Sequence, residues 1–348
     1  MKQTIAVLFG GQSNEYPVSL MSAETVLCNM PQGYDVYPVG ITRDGRWYHY
    51  SGSMHDIKDD KWQLDPANEE VILSPSPAIH GFWEIGAAKV RRVDAIIPML
   101  HGRNGEDGTV AAICQMAGIP CVGSGMTASA VAMDKEFTHI IAGQLGIPMA
   151  KYIVLHRQDR LDEETLYDQV KVKLGMPCYV KPTKEGSSFG AHKVCTHDEF
   201  APALHDAFKY DDKILVEQFC PGREVGCGIL GQDETGVVYE VVVETEMYGY
   251  AEKYDGYKTK IYYPAVSLSA GQQQQVIDFG RRIYKALGCK VFARIDCFST
   301  PAGIIFNEIN TIPGFTSHSL YPAMFKAVGY DLSKLLGKMI KIAMGQEN

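Results

Sequence analysis

The sequence lacks the features that mark several classes of protein. Lysine and arginine number 33 against 41 aspartates and glutamates, a net charge of −8, so there is no excess of positive charge for coating nucleic acid or an anionic membrane. No stretch approaches the roughly 20 apolar residues of a membrane span, and the first apolar run, residues 5–9, is too short for a secretory signal. These absences predict a cytoplasmic protein that binds neither nucleic acid nor membrane.

Paired cysteines, repeats and linkers are missing too. The nine cysteines are scattered, and no two of them have the C-x-x-C spacing of a redox or zinc motif. This usage favours reduced, mostly buried thiols, as in a cytosolic protein. There is no internal repeat and no long linker. With 348 residues, 46% of them hydrophobic, the chain is long enough for two or three domains with cores of their own.

The first third of the chain predicts a doubly wound domain with a parallel sheet. Residues 5–9 form a continuous apolar run, which is typical of a buried parallel strand, and Gly10 and Gly11 follow it. The remaining predicted elements are a helix at 18–30, strands at 35–41 and 94–100, and a helix at 109–117, with the domain ending near 122–125. The glycine pair is not a dinucleotide fingerprint, because the G-x-G-x-x-G spacing is absent.

The rest of the chain predicts a small mixed domain and a further part with strands and helices. A helical pattern covers residues 127–145 and stops at Gly146. Strands are predicted at residues 152–155, 178–181, 214–218, 224–230 and 237–244. A loop over 246–260 is rich in tyrosine, glycine and lysine. An amphipathic helix over 272–287 ends at Gly288, a typical residue just after a helix.

Two consecutive segments, residues 291–299 and 304–310, alternate with the period of two of a β-strand. One face then carries Phe292, Arg294, Asp296 and Phe298 from the first segment and Ile304, Phe306, Glu308 and Asn310 from the second. A three-residue turn over 301–303, with glycine at its left-handed position, joins the segments as an antiparallel hairpin. That turn pairs Asp296 with Glu308 and Arg294 with Asn310.

The polar side chains on this hairpin suit a divalent cation. Asp296, Glu308 and Asn310 offer carboxylate and amide oxygens, the ligands of Mg²⁺, which also binds substrate phosphates. Two facing acids repel one another unless a cation lies between them. The alternatives are a solvated sheet face that carries charges, or a bulge that changes the register. The pattern predicts a metal and nucleotide site.

A glycine-rich and hydroxyl-rich loop, residues 181–190, directly follows a predicted strand. Backbone N–H groups in such a loop, together with the hydroxyls of Ser187 and Ser188, bind phosphates. It is not a Walker A loop, because the order G-x-x-x-x-G-K-[ST] is absent, and taken alone it is more often an exposed turn. Lys135 and Lys181 flank the same small domain, and two such positive charges suit the binding of a nucleotide polyphosphate. Each lysine alone is more often a surface residue.

Two further loops stand where ligands bind. HGRNGEDG, residues 101–108, follows a strand and precedes a helix, and open α/β sheets bind ligands at such carboxyl ends of strands. A capped helix start is the alternative. PGFTSHS, residues 313–319, follows the hairpin, so its backbone N–H groups lie near the metal face. It is either an oxyanion hole or an ordinary glycine turn.

Taken together, these motifs resemble those of the D-alanine-D-alanine ligase family of ATP-grasp enzymes. The matching segments are GGQSNEYPVS, HGRNGEDGT, MDK, CYVKPTKEGSS, VEQF with GRE, AEKY, ARID and NEINTIPGFTSHS. They occur in order and span nearly the whole chain. Within the family, Asn14-Glu15-Tyr16, Gly226-Cys227 and residues 312–315 are most similar to D-alanine-D-serine ligases of the VanG type.

The resemblance implies an ATP-grasp fold that combines α/β and α+β parts in three domains. These are an N-terminal doubly wound parallel-sheet domain (1–124), a central small ATP-binding domain (125–217) and a C-terminal domain with the metal site and a lid loop (218–348). It also implies two steps. The carboxylate of D-alanine attacks the γ-phosphate of ATP, and the amine of a second D-amino acid attacks the resulting acyl phosphate. The product is a D-Ala-D-X dipeptide for peptidoglycan, and the implied assembly is a homodimer.

The resemblance also implies roles for single residues. Two Mg²⁺ or Mn²⁺ ions are bound by Asp296, Glu308 and Asn310. ATP is bound by Lys135, Lys181, Ser188, Glu217, Phe219, Cys220, Glu224 and Lys253. The residues expected to be catalytic are Glu15, Ser187, Tyr254, Arg294, Gly314 and Ser319, with Arg294 and the Gly314 N–H at the oxyanion. The substrate contacts are His101, which neutralises the carboxylate region of the first substrate, and Ser319 and Leu320 at the second.

The second substrate is expected to be an amine. Residues 246–260 become a lid loop that excludes water, and Tyr254 stands where family members that use D-lactate carry histidine. Leu320 follows Ser319 as in D-alanyl-D-alanine enzymes, whereas D-serine and D-lactate types more often carry arginine. D-alanine is the expected acceptor, and D-serine is the variant.

One departure from the family pattern concerns the first substrate. The residue just before Val18-Ser19 is acidic in the family, binds the ammonium of the first substrate and contacts the serine that matches Ser187, yet here it is Pro17. Glu15 substitutes for it only if the loop re-forms. Rival hypotheses are therefore a carboxylate-amine ligase with an altered first substrate and a nucleotide-binding homologue without turnover. A dinucleotide oxidoreductase is disfavoured, because no fingerprint glycines or ribose-binding acid fit.

Overall fold

The computed structural model describes residues 2–159, 162–232, 234–243 and 259–347. The strands form three sheets, which follow one another along the chain. In the ranges described, no helix combines the length and the apolar composition that crossing a membrane requires. Most of the expected lid loop, with Lys253 and Tyr254, lies outside the described residues.

The first sheet has seven strands. They are β1 (Gln3–Gly10), β2 (Tyr34–Ile41), β3 (Trp47–His49), β4 (Glu69–Leu73), β5 (Gly81–Glu84), β6 (Lys89–Arg92) and β7 (Ala95–Met99). Their order is β6-β5-β4-β3-β2-β1-β7. β1 pairs in parallel with β2 and β7, so the predicted parallel strands are confirmed. The antiparallel extension β3 to β6 was not predicted, because these short strands are partly exposed and carry no continuous apolar run.

The inner strand β1, between β2 and β7, is apolar at successive positions because both of its faces are covered. Ile5, Val7 and Phe9 pack into one hydrophobic cluster, whereas Ala6 and Leu8 pack into another on the opposite face. The helices of this part are α1 (Tyr16–Cys28), α2 (His55–Lys58) and α3 (Thr109–Ala117), with a 3₁₀ turn at Lys61–Leu64. The N-terminal end of α1 therefore lies beyond the carboxyl end of β1, where open sheets bind ligands.

The middle of the chain forms a four-stranded antiparallel sheet with helices. In chain order the elements are α4 (Met126–Met133), α5 (Lys135–Gln144), β8 (Tyr152–His156), α6 (Glu163–Lys173), β9 (Cys178–Pro182), β10 (His192–Val194), α7 (His197–Ala207) and β11 (Lys213–Gln218). The strand order is β10-β9-β11-β8. The single helix predicted over 127–145 is wrong. Asp134 is extended and its side chain accepts a hydrogen bond from the Glu136 N–H, so it ends α4 and caps α5.

The last part contains a sheet of six strands. Its elements are β12 (Arg223–Leu230), β13 (Glu234–Thr235), β14 (Tyr239–Val243), β15 (Thr259–Tyr262), α8 (Ala270–Leu287), β16 (Phe292–Thr300), β17 (Gly303–Asn310), α9 (Leu320–Lys326) and α10 (Leu332–Ala343). The order is β15-β14-β12-β16-β17, with β13 beside β12. The amphipathic helix is confirmed, and Gly288 ends it with a left-handed φ of 71°. Residues 259 and 260, expected in the loop, belong to β15 instead.

The predicted hairpin of β16 and β17 forms, but its turn and its faces differ from the prediction. Thr300 pairs with Gly303, so the turn has two residues instead of three. A bulge at Asn307 adds one residue to β17 and so shifts the pairing by the one position that the longer turn was expected to provide. Asp296 therefore faces Glu308, as predicted. Because the bulge reverses the alternation along β17, Ile304 and Phe306 do not share the polar face. They are buried in the apolar cluster beneath it.

Candidate active site

The polar face of the β16–β17 hairpin is held together around Asp296, which is only 2% exposed. The Arg294 guanidinium donates to both carboxylate oxygens of Asp296, from Nε at 2.8 Å to Oδ1 and from Nη2 at 2.7 Å to Oδ2. Asn310 Nδ2 donates to Asp296 Oδ2 at 2.8 Å. The face thus gathers two carboxylates, an amide and a cationic side chain, as the strand pattern predicted.

Tyr239 on β14 completes this cluster and was not predicted. Its hydroxyl lies 2.7 Å from Asp296 Oδ1 and 3.1 Å from Glu224 Oε1. Burial, Asp296 and Glu224 raise the pKa of Tyr239 well above its usual value, so its hydroxyl stays protonated and donates. A Cβ on Gly226 would lie 2.7 Å from the Tyr239 ring. Glycine at that position therefore lets the ring reach the acids.

The donor set on this face fits Mg²⁺. Asp296, Glu308 and Asn310 present only oxygen ligands to a cation, and hard divalent ions prefer oxygen. The Asn310 amide nitrogen is turned to Asp296, which leaves its amide oxygen as the remaining acceptor. Lys135 Nζ lies 3.8 Å from Glu308 Oε2, so a second positive group already stands beside the carboxylates.

Lys135 connects the hairpin to the glycine-rich loop. It is the first residue of α5, and its Nζ donates to the Glu185 carbonyl at 2.8 Å. Lys135, Gly186, Glu308 and Asn310 line one cavity. The predicted phosphate-binding groups and the predicted metal ligands thus converge on one point.

The glycine-rich loop has an unusual backbone. Ser187 and Ser188 have left-handed φ values of 48° and 60°, a region that non-glycine residues seldom adopt and that is found mostly at functional sites. The Ser187 hydroxyl donates a short hydrogen bond to Glu15 Oε1. A Cβ on Gly186 would lie 2.6 Å from Glu15 Oε2, so glycine is needed for this close approach.

The contact between Glu15 and Ser187 corrects the expectation about Pro17. Glu15 directly precedes α1 and is 8% exposed, and it makes the contact that was assigned to the position of Pro17. Pro17 stands in the first turn of α1, where a missing N–H costs no helical hydrogen bond, and it is exposed. Ser187 therefore has an acidic partner, which is Glu15 and not the residue at the position of Pro17.

Lys181 on β9 and Glu217 on β11 face each other as a buried ion pair. Lys181 Nζ lies 2.5 Å from Glu217 Oε2, and His139 Nε2 lies 2.8 Å from Glu217 Oε1. Burial would raise the pKa of Glu217, but Lys181 and His139 outweigh it and lower the pKa to about 2. His139 was not predicted, although it stands four residues after Lys135 on α5 and so shares its helix face.

The segment after β11 carries the other residues expected at ATP. Phe219 stacks loosely with Tyr179, with ring centroids 6.2 Å apart, and Lys193 Nζ lies 4.5 Å from its ring centre. Cys220 Sγ donates to the Gln218 carbonyl at 3.6 Å. Burial raises the pKa of the Cys220 thiol. This segment therefore offers an aromatic ring and backbone groups next to Glu217.

His101 is held by hydrogen bonds at both of its ring nitrogens, and its role at the first substrate stays a prediction. Its Nδ1 donates to the Ile312 carbonyl at 2.9 Å, and its Nε2 lies 2.9 Å from Ser22 Oγ. Burial lowers the pKa of His101, which favours the neutral ring that accepts from Ser22. Ser22 in turn accepts from the Phe315 N–H at 3.2 Å. His101 and Ser22 thus fix the loop that carries Gly314.

Gly314 and Ser319 lie together, as the motif predicted. A Cβ on Gly314 would lie 2.8 Å from Ser319 Oγ. Ser319 precedes α9, and its hydroxyl accepts from the Thr316 N–H at 2.9 Å. Leu320 opens α9, is half-buried and packs against the apolar cluster beneath the helix.

Glu106 is a further residue of the site that the sequence did not single out within its loop. It lines the same small cavity as Lys135 and Glu308, and its Oε2 accepts from the Gly102 N–H at 3.3 Å. Burial and the nearby Glu15 carboxylate raise the pKa of Glu106 to about 8. Its spacing inside HGRNGEDG gave no sign that this acid, rather than Asp107, faces the cavity.

The chain matches two family models. Residues 4–124 match the model described as D-ala D-ala ligase N-terminus, and residues 141–341 match the D-ala D-ala ligase C-terminus. A D-alanine-D-alanine ligase of Clostridium acetobutylicum is 37% identical over 354 residues and is covered, like this chain, along its whole length. One from Ruminiclostridium cellulolyticum is 38% identical, with 98% of this chain and 95% of that protein covered.

Solved structures agree with these matches. The VanG D-Ala:D-Ser ligase from Enterococcus faecalis superposes with a TM-score of 0.88 at 42% identity, covering 99% of this chain and 100% of that one. The D-alanine-D-alanine ligase from Coxiella burnetii gives 0.86 at 28% identity, with 99% and 96% covered. The chain belongs to the D-alanine-D-alanine ligase family, with the ATP-grasp fold and the ATP-dependent C–N ligase activity of that family.

Proposed function

We propose that this protein joins D-alanine to a second D-amino acid, with conversion of ATP to ADP and phosphate. The observation that carries the proposal is the cluster on β16 and β17, where Asp296, Glu308 and Asn310 meet Arg294 and Lys135. Oxygen ligands beside two cationic groups suit a metal-bound polyphosphate. The dipeptide product would serve peptidoglycan synthesis, as the family membership indicates.

The residues around this cluster would have different roles in the first step. Asp296, Glu308 and Asn310 would hold Mg²⁺, which supplies neutralisation of phosphate charge when bound. Lys135 and the loop with Ser187 and Ser188 would orient the γ-phosphate towards the carboxylate of D-alanine. Lys181, Glu217, Phe219, Cys220, Glu224 and Lys253 would hold the rest of ATP. The attack would transfer the phosphoryl group and give an acyl phosphate and ADP.

The first D-alanine is recognised through Glu15. Its carboxylate is buried and held by the Ser187 hydroxyl, so it is placed to accept hydrogen bonds from an ammonium group. The same contact joins the N-terminal α/β part to the glycine-rich loop. Binding of the first substrate would therefore be coupled to the position of the phosphate-binding backbone.

The second step would use hydrogen-bond donors next to the metal ligands. Arg294 and the Gly314 N–H would stabilise the oxyanion that forms when the amine attacks the acyl phosphate. Ser319, next to Gly314, would hold the carboxylate of the second substrate, with Leu320 beside it. Tyr254 and the lid loop are assigned to this step by the family resemblance alone.

D-alanine is the proposed second substrate. Leu320 supports it, since the half-buried leucine presents an apolar side chain and no charge. D-serine is a second candidate, because the VanG D-Ala:D-Ser ligase is 42% identical over nearly the whole chain. The homodimer and the three domain boundaries stay predictions.

Phosphate release tests the proposal. The purified protein is incubated with ATP, Mg²⁺ and D-alanine alone, then with D-serine or D-lactate added, and products are identified by mass. We expect D-Ala-D-Ala, with D-Ala-D-Ser as the product if the second candidate holds. Asp296→Asn should abolish turnover, whereas Asp278→Asn, an exposed acid on α8, should not. ATP binding without phosphate release for any D-amino acid would contradict the proposal.

A further inference from the structure

The outer face of α1 carries a group of possible metal ligands outside the active site. Glu24 and Cys28 stand four residues apart on α1, so their side chains share one face. His55 opens α2 beside them, and its Nδ1 lies 2.8 Å from Glu24 Oε1. One ligand atom from each of the three residues lies within 4.8 Å of the other two.

This group is separate from the catalytic face of the same helix. Cys28 and His55 are exposed and Glu24 is half-buried, whereas Ser22 on the inner face contacts His101. None of the three ligands contributes to the proposed reaction. The arrangement therefore calls for an explanation of its own.

The ligand types distinguish between metal ions. A thiolate, an imidazole and a carboxylate are a borderline-soft set that suits Zn²⁺, whereas Mg²⁺ takes oxygen ligands. We propose that Glu24, Cys28 and His55 form a zinc site on the N-terminal part of the protein, with water as the fourth ligand. Thiolate and carboxylate together balance the charge of the ion.

The geometry needs only small side-chain movements. Zinc bonds of about 2.0 to 2.3 Å in a tetrahedron put ligand atoms about 3.4 to 3.6 Å apart. His55 Nδ1 and Glu24 Oε1, now 2.8 Å apart, must therefore separate slightly, and atoms at the 4.8 Å limit of the group must approach by about 1 Å. The exposed Cys28 and His55 side chains can make these changes by rotation. Lys58 Nζ, 3.7 Å from Glu24 Oε1, is 48% exposed and can withdraw into solvent.

A reactive cysteine is the alternative explanation of the same residues. Partial burial and the Glu24 carboxylate raise the pKa of the Cys28 thiol, whereas nucleophilic cysteines have a lowered pKa. Cys28 also ends α1, where the helix dipole disfavours a negative charge. The neighbouring imidazole and carboxylate, with ligand atoms within 4.8 Å of one another, complete a zinc ligand set, so a zinc ligand accounts for the cluster better than a nucleophile does.

Cobalt spectroscopy tests the site directly. Metal-free protein is titrated with Co²⁺ in the presence of excess Mg²⁺, which occupies the oxygen ligands of the active site. We expect one equivalent of bound Co²⁺ to produce a thiolate-to-cobalt charge-transfer band in the near ultraviolet. Addition of Zn²⁺ should remove this band. Only thiolate ligation gives this band, so a cobalt ion on Asp296 and Glu308 does not imitate it.

Matched variants decide which thiol is involved. Cys28→Ser should remove the band and His55→Ala should weaken cobalt binding at least tenfold, whereas Cys195→Ser, an exposed cysteine elsewhere, should keep it. Basal phosphate release should be unchanged in all three, which shows that they fold. Absence of the band in the wild-type protein, or its persistence in Cys28→Ser, would overturn the proposal.

Discussion

Glu15 and Pro17 stand two residues apart, yet only Glu15 reaches the site. Pro17 is exposed in the first turn of α1, so we predict that Pro17→Glu leaves the KM for the first D-alanine unchanged. An acid at that helix position also interacts favourably with the helix dipole. Steady-state kinetics at saturating ATP measures this. A KM that falls severalfold would restore the hypothesis of a weakened first-substrate site.

Glu15→Gln, in contrast, should impair the use of the first D-alanine. The change keeps the shape of the side chain but removes the charge that accepts from Ser187 and from the substrate ammonium. A hydrogen bond to a charged group contributes about 1.5 to 3 kcal/mol, so kcat/KM for the first D-alanine should fall about 10- to 100-fold. The Pro17→Glu protein is the control. Wild-type kcat/KM in Glu15→Gln would show that another group binds the ammonium.

Which residues the sequence predicts depends on how far apart they are along the chain. Asp296 and Glu308 are joined by one hairpin, and the strand period was enough to pair them. Glu15 and Ser187 are separated by 172 residues, and no local pattern relates them. The same holds for Tyr239, whose hydroxyl reaches Asp296 from another strand. The family motifs implied an acidic partner for Ser187 but gave it to the position of Pro17, and they did not point to Tyr239.

At the scale of elements, Ser22 links α1 to the loop that carries His101 and to the loop that carries Phe315. Its hydroxyl is buried and contacts His101 Nε2 and the Phe315 N–H. Ser22→Ala leaves both groups without this partner, so the free energy of unfolding should fall by about 1 to 3 kcal/mol. Chemical denaturation of the apo protein measures the change.

Thr25→Ala on the exposed face of the same helix is the control for this prediction. Its hydroxyl donates to the Met21 carbonyl one turn before, and such surface changes usually stay within about 0.5 kcal/mol. Helix propensity favours alanine in both variants, so equal destabilisation by Ser22→Ala and Thr25→Ala would mean that losing any hydroxyl from α1 has this effect. The bridge to His101 would then contribute nothing measurable.

The elements that the sequence missed have local physical causes. Asp134 divides the predicted helix because its side chain caps α5, and a run of helix formers does not reveal that preference. The bulge at Asn307 turns Phe306 towards the core, where its N–H donates to the Pro148 carbonyl at 2.8 Å. That contact belongs to a different part of the chain. Periodicity within one strand therefore cannot predict it.

At the scale of the whole molecule, the three sheets each contribute to one site. The first supplies Glu15 at its carboxyl edge, the second supplies Lys181 and Glu217, and the third supplies Asp296 and Glu308. One apolar cluster joins Phe9 of the first sheet to Phe292 of the third, and another joins Ala142 of the middle part to Ile295. Contacts between charged and polar groups also join the segments. Stability should for this reason depend on pH through the buried ion pairs.

Glu217 provides the clearest case of that dependence. Its pKa in the folded protein is about 2, against 4.5 for the ordinary side chain, because Lys181 and His139 outweigh the effect of burial. A lowered folded pKa stabilises the protein above pH 4.5, and this stabilisation is lost as pH falls towards 2. The difference corresponds to about 3 kcal/mol at 1.36 kcal/mol per pKa unit.

Unfolding of the wild-type, Glu217→Gln and Lys181→Met proteins between pH 6 and 3 tests this prediction. Glu217→Gln should be less stable at pH 6, and its stability should fall less steeply with acid, because it has no proton to take up at that position. Lys181→Met removes the larger favourable charge at Glu217, so its slope should also be shallower. If the Gln variant loses stability between pH 5 and 3 as steeply as the wild-type protein, then Glu217 does not govern acid unfolding.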